Sequence, residues 1–121
     1  MNDENRWSIT DPLGNKIVLK TSTFDEHIIG DHGDKDGEFR KMLEPSAKMV
    51  LASPSLIIQD GTRRLYCKLI AAKQNDPLKI RILKVVVEEN GEVVTWTLQR
   101  KGESILGGEL VYGTRIDYLP S

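Results

Sequence analysis

The chain has 121 residues, 39% of them hydrophobic and 29% charged, and its 17 Lys and Arg against 18 Asp and Glu give a formal net charge of −1. That length fits a single domain, and the balanced composition excludes disordered, collagen-like and coiled-coil classes. Near-neutral charge creates no global positive field, so a nucleic-acid partner would need a local basic patch. The polar start MNDENRW and the absence of any apolar run near the roughly 18 residues of a membrane span predict neither a signal peptide nor a transmembrane helix. Cys67 alone cannot close an internal disulfide, which fits a reducing compartment such as the cytoplasm, and its place between Tyr66 and Lys68 in a strand-like run suits a buried small hydrophobe.

In chain order, Trp7–Leu19 reads as two short extended pieces around the Asp11-Pro12-Leu13-Gly14-Asn15 turn, because Pro presets one turn dihedral and Gly or Asn accepts the positive φ that follows. Thr21, Ser22 and Thr23 are N-cap residues for a short helix carrying Phe24, His27, Ile28 and Ile29 and ending at Gly30. Asp31–Gly37 is too polar and glycine-rich for core and reads as a loop. Phe39, Met42, Leu43, Ala47, Val50 and Leu51 mark the apolar face of further helix, which Pro45 must kink or divide and Pro54 ends. Leu56–Ile58 is extended, Gln59–Thr62 is a turn, and alternation from Arg63 onward sends Leu65, Cys67 and Leu69 to one face and Arg64, Tyr66 and Lys68 to the other. After a polar loop at Lys73–Pro77, Ile80–Glu88 is apolar enough for a central strand. A turn at Glu89-Asn90-Gly91-Glu92 returns it antiparallel as Val93–Leu98. On that last strand Val94, Trp96 and Leu98 form the expected buried set, leaving Thr95 and Thr97 on a polar face. Residues 101–121 read as a peripheral C-terminal appendage to a core spanning 7–100.

These elements predict one α+β domain over 1–121, with an N-terminal hairpin and helices packed on an antiparallel β-sheet of about four strands. No repeat, nucleotide-binding glycine loop or Gly-x-Ser-x-Gly elbow is present. The acids around the two histidines do not form a known metal register. Aligning Asp34, Asp36 and Gly37 to an EF-hand loop puts His32 first and Leu43 twelfth, and His27 and His32 are five residues apart where a helical zinc pair uses four. A solvated acidic loop is the better explanation, a divalent-metal site within Asp31–Asp36 is the weaker alternative, and no metal or other cofactor is expected.

What remains is His27 and His32 early in the chain, then Arg64, Tyr66, Lys68, Thr95 and Thr97 on what alternation assigns to one sheet face. This inventory suits metal-free phosphodiester cleavage. A base takes the ribose 2′-OH proton, cations and hydroxyls stabilise the pentacoordinate phosphorane, and an acid protonates the leaving 5′-oxygen. On pattern alone, a solvated strand face and a structural helix histidine account for the same residues.

The order of motifs adds weight. Asp11-Pro-Leu-Gly-Asn15, then Phe24-Asp-Glu-His27-Ile28 with His32 four residues past Ile28, then Ser53-Pro54, Arg64-Leu-Tyr66 and Val85-Val-Val with Gly91-Glu-Val-Val-Thr95 resemble the phage-associated branch of the barnase/EndoU/colicin/RelE-like (BECR) ribonucleases over roughly residues 7 to 98. The resemblance implies N-terminal helices against an antiparallel sheet and a toxin-like or mobile-element-associated RNA endonuclease that works without metal. By position, His27 would be the first acid–base residue and His32 the second. Arg64 and Tyr66 would bind or orient the scissile phosphate, and Thr95 or Thr97 would hydrogen-bond it. Lys68 joins this set as a substrate-binding residue from face geometry alone. RNA is then the expected partner, with an immunity or antitoxin protein as a second, no membrane partner, and the oligomeric state open. The competing expectation is a non-catalytic protein-interaction domain of the same fold. The two differ on one geometric point: the nuclease needs the histidine-bearing helix at the edge of a face that carries Arg64, Tyr66 and Thr95.

Overall fold

The computed structural model describes residues 4–30, 34–72, 79–100 and 108–113. Its elements run β1 (Asn5–Thr10), β2 (Lys16–Lys20), a π-helical segment (Thr23–Ile29), α1 (Asp34–Met42), α2 (Glu44–Ala52), β3 (Leu56–Asp60), β4 (Arg63–Ala72), β5 (Lys79–Val87), β6 (Val93–Arg100) and β7 (Glu109–Gly113). The fold is α+β with antiparallel pairing within both sheets and one isolated parallel bridge, Val18 to Glu92, between them: β1 and β2 form a two-stranded sheet, and the main sheet has the order β6-β5-β4-β3-β7.

Local chemistry explains most boundaries. The β1–β2 turn closes because the Asp11 carboxylate accepts hydrogen bonds from the Leu13 and Asn15 backbone N–H groups at 2.9 and 2.8 Å, while Gly14 takes a φ of +88°. Pro45 stands in the first turn of α2, where its missing N–H costs nothing, so the helical stretch is divided at Leu43 into α1 and α2. The β5–β6 turn needs Gly91 twice over, for its φ of +88° and because a Cβ there would lie 2.6 Å from the Lys16 carbonyl oxygen. That close approach lets the Val18 N–H donate to the Gly91 carbonyl at 2.9 Å, tying the hairpin to the start of β6.

The C-terminal region departs from expectation. Glu109–Gly113, expected within a peripheral appendage, pairs antiparallel with β3 and forms the fifth strand of the main sheet. Its physical role is to satisfy the outer backbone groups of β3, which would otherwise be an open sheet edge. The Lys73–Pro77 loop, Gly107 and residues 114–121 lie outside the described residues.

Directly paired residues share a sheet face, so the register fixes which side chains stand together. Ile57, Tyr66, Val85 and Trp96 form one cross-strand row, and Ile58, Leu65, Val86 and Thr95 form a row on the opposite face. The first face is covered by the hairpin and helices, whose Ile17, Leu19, Phe24, Ile28, Ala47, Val50 and Leu51 bury with Ile57, Tyr66, Leu83, Val85 and Trp96 into the main core. The second carries a smaller cluster of Leu56, Ile58, Cys67 and Ile82, with Leu65, Leu69 and Leu110 packed against it. Alternation along β4 is as expected, but both of its faces pack. On β6, Trp96 is buried as expected, whereas Val94 and Leu98 are half-buried and Val93 takes an inward place. A register shift between Val86 and Val87 displaces Val94: Val86 pairs with Thr95 and Val87 with Val93, so Val94 is an extra residue, while Leu98 pairs with Leu83 and keeps the Trp96 face.

Among the described residues the buried charged group is Asp11, 4% exposed. Besides its turn bonds it accepts a hydrogen bond from Asn15 Nδ2 at 3.2 Å and one from the Tyr66 hydroxyl on β4. Burial alone would raise the Asp11 pKa, but the bonds from Tyr66, Asn15 and Leu13 outweigh it and hold the carboxyl below its ordinary value. Burial and the adjacent carboxylate push the Tyr66 phenol well above its own.

A depressed folded pKa gives stability that is fully present above the unfolded value and is lost as pH falls through the folded one. Urea midpoints of the wild type should therefore decline as pH drops below about 4, the ordinary carboxylate range, and Asp11→Asn should flatten that decline while lowering the midpoint at pH 7. Tyr66→Phe should cost about 1–3 kcal/mol at neutral pH by leaving a buried acceptor short of one donor. An unchanged midpoint in Tyr66→Phe would show that the pair contributes nothing.

Candidate functional site

One open cavity of about 570 Å³ is lined by Thr23, His27, Arg40, Glu88, Glu92, Val93, Val94, Thr95 and Thr97. It lies along the outer edge of β6, the last strand of the main sheet, with Thr23 and His27 of the π-helical segment and Arg40 of α1 contributing to its wall.

The histidine is placed by its own segment. Thr23–Ile29 is wound as a π-helix, a geometry rare in proteins and frequent at functional sites. Its Phe24 and Ile28 are buried, with the Phe24 ring 6.1 Å from the Trp96 ring, and Gly30 closes the turn with its N–H on the Asp25 carbonyl at 3.1 Å. Anchored by those two apolar side chains, the exposed His27 reaches the cavity.

Arg40 is placed by a reciprocal clamp between α1 and β6. The Trp96 indole N–H donates to the Arg40 carbonyl at 2.9 Å, and Arg40 Nη1 donates to the Trp96 carbonyl and to Thr95 Oγ1, the latter at 3.2 Å. The Trp96 carbonyl belongs to the outer strand of the sheet, so the guanidinium both caps an edge acceptor and becomes part of the cavity wall. Sequence reasoning missed Arg40, because it falls among the polar positions of α1 and nothing local distinguishes it from a solvated helix arginine. Glu88 and Glu92 flank the β5–β6 turn at the cavity, with Glu88 ion-paired to Arg63.

The expected site residues divide between two places. His27, Thr95 and Thr97 come together in the cavity. Arg64, Tyr66 and Lys68 do not join them, since they stand on the sheet face opposite to Thr95 and Thr97. Tyr66 is fully buried with its hydroxyl on Asp11, and Lys68 Nζ donates to the Ser53 carbonyl at 2.9 Å. Arg64 lies in a separate polar depression of about 290 Å³ with Gln59, Gly61, Thr62 and Glu89, its guanidinium carbon 6.0 Å from the Tyr66 ring centre. The expected single polar face is thus corrected to two surfaces. Each strand's alternation was legible, but the phase between strands is set by register and by the extra residue at Val94. His32, Asp31 and the side chains of Asp34 and Asp36 lie outside the described residues. Among the described residues, no group of three or more His, Cys, Asp or Glu gathers in a way that could hold a metal ion.

Cys67 is fully buried in the second cluster, and burial pushes its thiol up to about 12, against a smaller downward pull from Lys84. The native protein at pH 8 should therefore resist iodoacetamide, with rapid alkylation only in denaturant. Native labelling at the denatured rate, followed by mass spectrometry, would contradict this placement.

Compared with protein-family models, with curated proteins and with solved structures, the chain has no significant match, and its function has to be read from its own residues.

Proposed function

We propose that this chain is a metal-independent RNA endonuclease of BECR-like fold, toxin-like or mobile-element-associated, that cleaves by attack of the ribose 2′-OH on the adjacent phosphodiester. The observation that carries the reading is the meeting of His27, Thr95 and Thr97, drawn from a helix and a strand some seventy residues apart in sequence, around one open cavity. The motif order around His27 and the late hairpin supports the same reading.

In the proposed reaction the 2′-O–P bond forms as the P–5′-O bond breaks. The products are a 2′,3′-cyclic phosphate and a free 5′-hydroxyl. His27 exchanges protons at the 2′-oxygen or at the leaving oxygen, a general acid–base task that an imidazole can perform. The resemblance assigns the complementary transfer to His32. Thr95 and Thr97 hydroxyls donate hydrogen bonds to the phosphate oxygens, which gain negative charge in the phosphorane. Arg64, in its own depression beyond the β5–β6 turn, is an outlying contact for the RNA backbone, and Tyr66 and Lys68 support the fold.

A second reading, a non-catalytic protein-interaction domain of the same fold, is favoured by one specific observation: Arg64 and the buried Tyr66 neither converge with His27 nor share a face with Thr95, so the single face expected of the nuclease is not formed.

Purified protein incubated with total RNA in EDTA, across about pH 5–8 where histidine titrates, distinguishes them. The nuclease reading expects fragments ending in cyclic phosphate, with kcat/KM reduced about 100-fold or more in His27→Ala and less in Thr95→Val. Arg64→Ala should change kcat/KM less than His27→Ala does. RNA left intact throughout that range would overturn the nuclease and leave the interaction domain.

A further inference from the structure

We infer that Arg40, with His27 and Thr95, forms a binding site for a single phosphodiester oxyanion, and that Glu92 confines the anion to that end of the cavity. The identity of the anion as an RNA phosphate rests on the ribonuclease reading; the site itself rests on geometry.

Arg40 lines the cavity in a fixed orientation. Its guanidinium is held to the Trp96 carbonyl and, at 3.2 Å, to Thr95 Oγ1, and its backbone is held by the Trp96 indole at 2.9 Å. A planar guanidinium locked in this way matches the oxygens of a phosphate group and loses little side-chain freedom on binding. Thr95 is the hydroxyl to which this guanidinium is bonded, so an oxyanion at Arg40 also meets a second donor type. His27 adds an imidazole to the same wall.

The opposite charge lies a short way along the strand. Glu92 precedes Thr95 by three residues, about 10 Å of extended chain, and Glu88 faces it across the turn. Glu88 is ion-paired to Arg63, so it is the Glu92 carboxylate that repels a second phosphate at that distance and disfavours a polyanion along the whole cavity. Val93 and Val94 line the stretch between and suit an uncharged ring better than a phosphate. One nucleotide would enter with its phosphate at Arg40 and its sugar and base toward the valines. This arrangement supplies a cation inside the cavity, where the resemblance had assigned the phosphate to the more distant Arg64.

Inorganic phosphate titrated into the full chain tests the site without requiring catalysis. The two tryptophan indole N–H signals in NMR spectra report separately, since Trp96 donates to Arg40 and Trp7 donates to Glu44 at 3.0 Å. The Trp96 signal should shift saturably with phosphate while the Trp7 signal stays put. Arg40→Gln, which keeps polar reach but removes the charge, should weaken binding about tenfold or more. Arg40→Lys should recover part of the loss, and an unchanged Trp7 signal in both variants shows that the fold is intact. Absence of a saturable Trp96 shift, or equal phosphate affinity in wild type and Arg40→Gln, overturns the site. Phosphate binding that depends on Arg40 while the wild type leaves RNA uncut supports the anion site and sinks the ribonuclease reading. RNA cleavage by Arg40→Gln at wild-type kcat/KM supports the ribonuclease reading and overturns the assignment of this anion as an RNA phosphate.

Discussion

The Asp11 carboxylate is buried, and a buried charge must be fully satisfied or it destabilises the fold. Three of its bonds come from its own turn and the fourth comes from Tyr66 on β4, fifty-five residues away. That fourth bond fixes where the N-terminal hairpin sits on the main sheet. With the turn held over Tyr66, Ile17 and Leu19 of β2 meet the core, and Val18 reaches Gly91 at the base of β6. A hairpin alone is marginal in water, so its place in the structure depends on these attachments.

The cavity follows from that placement. Chain leaving β2 enters the π-helical segment directly, and Phe24 and Ile28 pack down against the sheet beside Trp96. Arg6 lies 3.8 Å over the Phe24 ring and also pairs with Glu44, which in turn accepts from the Trp7 indole, so Glu44 joins the hairpin to α2 and Arg6 joins it to the π-helical segment. Hydrogen bonding to Arg6 holds the Glu44 carboxyl below its ordinary value against the opposing effect of burial, which keeps it charged for that task. Helix α1 is then carried to the outer strand, where Arg40 and Trp96 clasp each other. His27 and Arg40 reach the same cavity because each belongs to an element anchored by buried neighbours.

A strand carries two independent pieces of information, its own alternation and its phase relative to its neighbours. Along β4, the alternation of Arg64, Tyr66 and Lys68 against Leu65, Cys67 and Leu69 was legible, and so was the pairing of Val85-Val-Val with the strand after Gly91. The phase was not, and it moved Tyr66 into the core and Thr95 to the other face. Tyr66 also shows why residue type misleads: a tyrosine among basic residues resembles a binding face, yet its hydroxyl serves a buried carboxylate whose need cannot be seen from β4 alone.

The sequence by itself determined the α+β class, the hairpin at Asp11–Asn15, the division of the helices at Pro45, the turns at Gly61 and Gly91, and the position of His27 on a short helix anchored by Phe24 and Ile28. Those features are local: proline geometry, glycine at positive φ and apolar spacing act within a few residues. Only the tertiary structure decided that Glu109–Gly113 completes the sheet, that His27 keeps company with Thr95 and Thr97 while Arg64 stands apart, and that Arg40 joins the cavity wall. Each of these depends on strand register, on an unpaired strand edge or on a hydrogen bond across more than fifty residues, and such long-range constraints leave no periodic mark on the chain.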